Sequence, residues 1–299
     1  MSMLLNKDSF LKIYKWSEGR HVMVLGYNER RPKEEDYTAF VEGIKKSITT
    51  LDEGLGLMLY GSYVRGDYIP GRSDIDSVLF FPDHVVLDKN KVQRISRGLH
   101  ELLRNYPIPF QVTTLDTTTG ADGRFNPFTQ DFQDYFRREG RILVGQDYRP
   151  EITYLQQKTD KETALSFSLR KVRNTLLFAE HDRHKHYERF LERFNETLDA
   201  VSSSIKRVLY LVDDRLRRSR FSVLDDLPTI FPDVDVGPLR QIKYLYTQPS
   251  KLDHLYEHPL KVLEMEQQAV TFLESVISAY IHEFPREQQD LELRIKPED

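Results

Sequence analysis

The 299-residue sequence contains no cysteine, and this absence excludes several kinds of chemistry. A cysteine-free chain has no disulfide framework, no thiolate nucleophile and no cysteine-ligated zinc. No segment approaches the roughly 20 apolar, uncharged residues that a transmembrane helix needs. The first residues, MSMLLNKDSFLKIYKW, lack a continuous apolar core of signal-peptide length. The sequence therefore predicts a cytoplasmic protein with no membrane partner.

An excess of positive charge is also lacking. The formal net charge is -4, which argues against a long nucleic acid as partner, because such a partner requires the neutralisation of many phosphates. Hydrophobic residues make up 39% of the chain and charged residues 30%, so packed interiors are expected. The length suffices for two domains. A homodimer is left open.

The first half of the chain alternates between helix and strand patterns. KEEDYTAFVEGIKKSITTL has helical spacing of its apolar residues, GLGLMLY and DIDSVLFF read as strands, KVQRISRGLHELLRNY reads as an amphipathic helix, and IPFQVTTLD reads as a third strand. The order is helix, strand, turn, strand, helix, strand. We therefore predict a small mixed sheet with helices over residues 1–148, with an N-terminal extension at 1–32.

The second half, residues 149–299, contains long helical patterns. KETALSFSLRKVRNTLLFAE, YERFLERFNETLDAVSSSIKRVLYLVDDRL and PLKVLEMEQQAVTFLESVISAYIHEF each predict a helix, and FSVLDDLPTIFPDVDVGPLR predicts a loop-rich connection. An aromatic stripe at Tyr187, Phe190 and Phe194 is expected to face the core. The fold class is thus α+β, with a small mixed sheet followed by an α-helical bundle.

Two aspartates open the second predicted strand, within LYGSYVRGDYIPGRSDIDSVLF. Side chains at positions i and i+2 of a strand point to one face, so Asp74 and Asp76 present two carboxylates side by side. Two such charges repel unless a cation lies between them, and Mg²⁺ is the expected occupant. Upstream, Gly61 permits close backbone approach, Ser62 lies at a predicted helix start and Arg65 carries a guanidinium for phosphate. The pattern predicts a nucleoside triphosphate site.

The stretch GSYVRGDYIPGRSDID resembles the signature of the nucleotidyltransferase superfamily, whose fold is that of DNA polymerase β. In form it is most similar to the aminoglycoside nucleotidyltransferases and to the minimal nucleotidyltransferases of toxin-antitoxin pairs. The resemblance covers about residues 33–148. It implies that Gly61, Ser62, Arg65 and Ser73 bind the triphosphate of ATP or another nucleotide, and that Asp74 and Asp76 ligate Mg²⁺.

One position departs from the family pattern. The family usually places a third carboxylate, a metal ligand or general base, on the strand that follows the next helix, and here the matching position is Gln111. An amide cannot accept the proton of an attacking hydroxyl. Asp116 is expected on the opposite face of that strand. Glu180 and Asp182 are candidate bases by their position in the chain alone.

Three functions follow from these residues. The first is Mg²⁺-dependent transfer of a nucleoside monophosphate, with AMP expected, to a hydroxyl of a small-molecule acceptor, with Asp74, Asp76 and Gln111 at the catalytic centre. The acidic excess lies in the helical half, which favours a cationic acceptor such as an aminoglycoside. The second is a catalytically weakened nucleotide-binding regulatory or antitoxin-like protein, which Gln111 favours. The third, a polymerase or RNA-modifying transferase, fits the negative charge least.

Two further clusters have both a functional and a structural interpretation. His181 and His184 could meet on one helix face as metal ligands, although their charged neighbours favour a solvated helix end. The basic run RLRRSR at 215–220 could bind RNA, although arginines at the end of a helix also complement its dipole.

Overall fold

In a computed structural model of the protein, the described residues are 31–51, 54–82, 89–124, 126, 128, 130–154 and 158–285, with the secondary structure of 14–17 and 20–23. The chain divides into two compact units, Met1–Gln157 and Lys158–Asp299. Among the described residues, no helix combines the length and the apolar character needed to cross a bilayer.

The N-terminal unit follows the predicted order of elements. Its elements are β1 (Tyr14–Ser17), β2 (Arg20–Met23), α1 (Glu34–Leu51), β3 (Gly56–Tyr60), α2 (Ser62–Arg65), β4 (Ile75–Phe81), α3 (Lys89–Asn105), β5 (Phe110–Asp116), α4 (Thr117–Asp122), α5 (Gln130–Arg138), β6 (Arg141–Val144) and a 3-10 turn (Arg149–Glu151). The three predicted strands and two predicted helices are confirmed. The sequence did not predict the β1–β2 hairpin, α4, α5 or β6.

The sheet of the N-terminal unit is mixed. Its strand order is β5-β4-β3-β6. The β3 strand is antiparallel to both β4 and β6, whereas β4 and β5 are parallel. Because α3 connects β4 to β5, the two strands run in the same direction and bring their first residues to one edge of the sheet.

Each face of this sheet is covered by a hydrophobic cluster. On one face, α1 contributes the apolar positions that its helical period predicts, and all five are buried: Tyr37, Phe40, Val41, Ile44 and Ile48. The other face carries Met58, Val78 and Phe80 against Phe128 and Phe136. Since strand residues alternate between faces, even-numbered β4 residues share the second face.

The C-terminal unit is helical, as predicted. It comprises α6 (Lys158–Lys185), α7 (Tyr187–Asp213), α8 (Val223–Ile230), α9 (Gly237–Thr247), α10 (Pro249–Tyr256) and α11 (Pro259–Glu283). In the aromatic stripe of α7, Phe190 and Phe194 are buried, whereas Tyr187 is half-buried and its hydroxyl donates to the Tyr256 carbonyl. The stripe therefore packs in the core except at Tyr187, its first residue.

The prediction of a loop-rich connection at 221–240 was wrong, because α8 and the start of α9 occupy much of it. The residues that suggested turns are compatible with helix starts: Asp225 and Asp226 lie in the first turn of α8, and Pro238 lies in the first turn of α9. Acidic residues and proline are favoured at those positions. Pro228 lies inside α8, which has only eight residues.

Candidate active site

Asp74, Asp76 and Gln111 converge at the edge where β4 and β5 begin. Asp76 is the direct register partner of Gln111 in the parallel β4–β5 pair and of Tyr60 in the antiparallel β3–β4 pair. Asp74 immediately precedes β4 and lies two residues from Asp76. The three polar side chains therefore extend the face that Val78 and Phe80 cover with apolar groups.

The side-chain amide of Gln111 connects the two carboxylates. With its nitrogen toward them, it donates to Asp74 Oδ2 at 3.2 Å and to Asp76 Oδ1 at 3.0 Å. The amide is assigned this way because the opposite orientation would place its carbonyl oxygen against two anions. Gln111 is 9% exposed. The amide thus supplies a hydrogen-bond donor where the superfamily pattern has a third carboxylate.

Gly61 allows the backbone before α2 to lie against Asp76. Its φ is 79° and its ψ is -159°, a conformation that is essentially confined to glycine. A Cβ atom added at this position would lie 2.2 Å from Asp76 Oδ2. The glycine of the Gly-Ser pair is therefore required by both its conformation and its contact with the carboxylate.

The loop between α2 and β4 is held by hydrogen bonds around Ser73. The Ser73 hydroxyl accepts from the Ile69 N–H at 2.8 Å, and the Ser73 N–H donates to the Ile69 carbonyl at 2.9 Å. The Tyr37 hydroxyl donates to the Ser73 carbonyl at 2.5 Å. Burial raises the pKa of Tyr37, and the charge of Asp74 adds to the rise, so Tyr37 stays protonated and a donor. These bonds fix the backbone that carries Asp74.

Arg65 is anchored by two acidic partners. Its Nη1 donates to Glu139 Oε2 at 3.0 Å and its Nε donates to Asp67 Oδ1 at 3.1 Å. The Glu139 side chain is only 4% exposed. Burial lowers the pKa of Arg65, but the hydrogen bonds and charges of Glu139 and Asp67 together outweigh burial and raise it. Sequence reasoning identified Arg65 but missed Glu139, since the two are 74 residues apart in the chain.

Asp116 and the two candidate bases of the helical unit, Glu180 and Asp182, have other partners. Asp116 caps α4, accepting from the Thr119 N–H at 2.8 Å and from its hydroxyl at 2.6 Å. In the helical unit, Asp182 is 1% exposed and accepts from Arg193. Glu180 accepts from Arg183 at 2.6 Å. Asp116 and Asp182 thus have structural roles within their own units.

The basic run at 215–220 forms ion pairs within the helical unit. Arg217, which is 5% exposed, donates to Asp213 at 2.6 Å and to Asp226 at 2.6 Å. Arg215 also pairs with Asp226, and Arg220 pairs with Asp199 at 2.6 Å. Neighbouring arginines lower the pKa values of Asp213 and Asp226. These ion pairs give Arg215, Arg217 and Arg220 a structural role within the helical unit.

The helical unit also contains a buried carboxyl group that the sequence did not single out. Glu266, on α11, is 1% exposed. Its Oε1 accepts from the Thr197 hydroxyl at 3.0 Å, and within the described residues its Oε2 has no hydrogen-bond partner. Burial raises the pKa of Glu266 to about 7. The group therefore titrates near neutral pH.

Residues 41–113 match the family model described as a nucleotidyltransferase domain. The matched segment runs from α1 into β5 and contains every candidate site residue: Gly61, Ser62, Arg65, Ser73, Asp74, Asp76 and Gln111. The match supports the nucleotidyltransferase superfamily for this segment, as the Gly-Ser and Asp-x-Asp pattern predicted. No curated protein matches the chain. A domain of this class supports nucleotidyl transfer in general and a nucleotide as its substrate.

Proposed function

We propose that the N-terminal unit transfers a nucleoside monophosphate, AMP from ATP in the first instance, to a hydroxyl group of a small molecule in an Mg²⁺-dependent reaction. The observation that carries this proposal is the convergence of Asp74, Asp76 and Gln111 beside Gly61. This convergence lies within the segment that matches the nucleotidyltransferase domain.

The donor set fits Mg²⁺. Two carboxylates lie within hydrogen-bond reach of one amide, and the absence of a side chain at Gly61 avoids a clash with Asp76 Oδ2. Hard oxygen ligands of this kind suit Mg²⁺, which is commonly held by one or two carboxylates and the phosphates of its substrate. Asp74 and Asp76 would hold the ion. When bound, Mg²⁺ would neutralise phosphate charge and support departure of pyrophosphate.

The surrounding residues are proposed to position the triphosphate. The Gly61 backbone lies against the Asp76 carboxylate, and Ser62 follows it as the first residue of α2; we propose that phosphate oxygens are held there. Arg65 is fixed by Glu139 and Asp67 and would present its positive charge from a defined position. Ser73 accepts a backbone N–H, so its hydroxyl keeps a hydrogen to donate.

In the transfer step, the acceptor hydroxyl oxygen forms a bond with the α-phosphorus as the bond to pyrophosphate breaks. The hydroxyl proton leaves during this step and passes to the departing pyrophosphate or to water, because the amide of Gln111 cannot accept it. We therefore expect transfer to depend chiefly on alignment of the hydroxyl. The wild-type rate should be low, or restricted to acceptors whose hydroxyl is readily deprotonated.

A second function is favoured by the same amide. Because Gln111 donates a hydrogen bond to each of the two carboxylates, it partly compensates the repulsion between them. The amide does this without being able to act as a general base. This arrangement suits a protein that binds Mg²⁺ and nucleotide as a regulatory or antitoxin-like component with little or no transfer. Both functions require nucleotide binding that depends on Mg²⁺, but only the first requires catalytic turnover.

The test is calorimetric titration of ATP with and without Mg²⁺ for wild type and for Asp74→Asn/Asp76→Asn. We expect the Mg²⁺-dependent part of the affinity to be lost, with the melting temperature unchanged or raised because two repelling charges are removed. Asp122→Asn/Asp134→Asn is the control, since it removes two exposed charges in the same unit. Equal Mg²⁺-ATP affinity in the Asp74/Asp76 variant would remove the metal assignment.

Pyrophosphate release then separates the two functions. Wild-type protein with Mg²⁺-ATP is assayed against hydroxylated acceptors, including cationic aminoglycosides and neutral sugars. Acceptor-dependent release supports the transferase. Tight nucleotide binding without release for any acceptor favours the regulatory protein. Competition by GTP, CTP and UTP identifies the preferred nucleotide.

A further inference from the structure

A second group of potential ligands lies in the helical unit, where α10 ends and α11 begins. His254, Glu257 and His258 bring three ligand atoms within 4.8 Å of one another. His254 and Glu257 are exposed, and His258 is half-buried. Their spacing of three and four residues places them on one side of the helical turn. Nothing in the nucleotidyl-transfer site involves these residues.

Two of the three ligand atoms already have the separation of a metal site. His254 Nδ1 and Glu257 Oε2 are 3.1 Å apart. Tetrahedral zinc with bonds of about 2.0–2.1 Å places neighbouring ligand atoms roughly 3.3 Å apart. The His254 and His258 rings are 5.0 Å apart between centroids, with an interplanar angle of 86°. The His258 nitrogen lies within 4.8 Å of the other two ligand atoms and would have to come to the same spacing to complete three corners of a tetrahedron.

The backbone that carries these ligands is held in place. The Glu257 N–H donates to the His254 carbonyl at 3.2 Å, and the His258 N–H donates to the Leu255 carbonyl at 2.9 Å. Pro259 then starts α11. Between the ligands, Tyr256 is 6% exposed, and the Asn195 amide donates to its hydroxyl at 2.7 Å. Because the turn is fixed to α7, metal binding would have to order only side chains.

We propose that His254, Glu257 and His258 form a binding site for a divalent transition metal of the zinc class, with water completing the coordination. Two imidazoles and one carboxylate suit Zn²⁺, Co²⁺ or Ni²⁺ and do not suit Mg²⁺, which selects oxygen ligands. Binding replaces the hydrogen bond between His254 and Glu257 with two metal bonds. The ion would fasten the end of α10 to the start of α11.

The other histidine cluster provides a matched comparison. His184 Nε2 lies 3.5 Å from Glu180 Oε2, a histidine–glutamate pair on an exposed helix face. However, Arg183 Nη2 lies 2.8 Å from the same His184 nitrogen. Its positive charge opposes a cation there. Within the part of the chain that the structure describes, this cluster is not among the groups of three that could hold a metal. The interpretation of His181 with His184 as metal ligands is therefore not supported.

The experiment is a Co²⁺ titration of untagged full-length protein, followed by visible absorption and then by Zn²⁺ competition. It is performed in the Asp74→Asn/Asp76→Asn background, because carboxylate pairs also bind these ions. We expect one equivalent of Co²⁺ with the strong absorption of tetrahedral coordination, displaced by Zn²⁺. His254→Ala and, separately, Glu257→Gln should weaken binding by at least about 10- to 100-fold. His184→Ala should leave it unchanged.

Both His254 and Glu257 are exposed, so their variants should fold, and circular dichroism without metal checks this. The proposal is overturned if the Asp74→Asn/Asp76→Asn protein binds no Co²⁺ at one equivalent, if adding His254→Ala or Glu257→Gln to it leaves Co²⁺ binding equally tight, or if adding His184→Ala abolishes binding to the same extent. Zn²⁺ should also raise the melting temperature of the protein, and this rise should disappear in His254→Ala.

Discussion

Asp76 and Gln111 are direct neighbours across the parallel β4–β5 pair, and the Gln111 amide donates to Asp76 at 3.0 Å while it also reaches Asp74. In the proposed function, the amide stands where a carboxylate would ligate metal and accept a proton. It would therefore separate nucleotide binding, for which we propose Asp74 and Asp76, from proton removal, which needs a base.

We expect Gln111→Glu to raise nucleotidyl transfer by up to about 10²- to 10⁴-fold, the usual contribution of a general base. Without Mg²⁺ the variant should melt at a lower temperature than wild type, because three carboxylates then share one site. Added Mg²⁺ should remove this difference in melting temperature. The measurements are pyrophosphate release and thermal melting. Gln93→Glu, on an exposed face of α3, controls for the added charge. An unchanged or lower rate would place the base elsewhere.

Gly61→Ala should abolish Mg²⁺-ATP binding and destabilise the protein by about 1–3 kcal/mol. The added Cβ would lie 2.2 Å from Asp76 Oδ2 at a φ of 79°. Gly66→Ala is the matched control, since its φ is 81° but an added Cβ there would have nothing within 4 Å. Calorimetric titration and urea unfolding test this expectation. If Gly61→Ala and Gly66→Ala bind Mg²⁺-ATP equally well, the close approach of Gly61 to Asp76 is not needed for nucleotide binding.

Arg65→Met should destabilise the N-terminal unit by about 3–5 kcal/mol, because it leaves Glu139 as a buried charge without its partner. Arg65→Met/Glu139→Leu should recover much of this loss, since neither charge then remains. A double-mutant cycle by urea unfolding measures the coupling. An unchanged melting temperature in Arg65→Met would leave Arg65 with a role in nucleotide binding alone.

Glu266 should make stability depend on pH near neutrality. Its pKa is raised to about 7 in the folded protein, so the native state binds a proton that the unfolded chain releases above its ordinary pKa near 4.3. The contribution of Glu266 to the free energy of unfolding is complete below a pH of about 4.3. It is lost as the pH rises to about 7, a change of order 3 kcal/mol. Glu266→Gln should remove this dependence in urea midpoints measured from pH 5 to pH 8. The exposed Glu264→Gln should keep it.

The helical period of α1 was sufficient to identify its buried face, and the spacing from Gly61 to Asp76 was sufficient to identify the domain class. Both are local patterns in the chain. Gln111 could be matched because one helix separates two readable strands. The Arg65–Glu139 pair and the contact of Gly61 with Asp76 depend on through-space neighbours that sequence spacing does not define.

The errors have similar physical origins. The β6 strand has only four residues, and three of them are half-buried, so its alternation is too short to recognise. At 221–240, proline and aspartate were interpreted as turn formers, although both also start helices. The ion pairs of the basic run at 215–220 could not be predicted from the sequence, because its acidic partners are spread over α7 and α8.

The buried Ser77 hydroxyl donates to the Gln111 carbonyl at 3.0 Å, which joins β4 and β5 through a side chain as well as through backbone bonds. A slip of β4 by one residue would turn Ile75 and Ser77 toward the site and carry Asp74 and Asp76 into the apolar layer beneath α1 and α3. The slipped strand would bury two charges and lose the serine bond together. The register of the two strands therefore also determines where the two carboxylates lie. An insertion or deletion within β4 would disrupt both the strand pairing and the site.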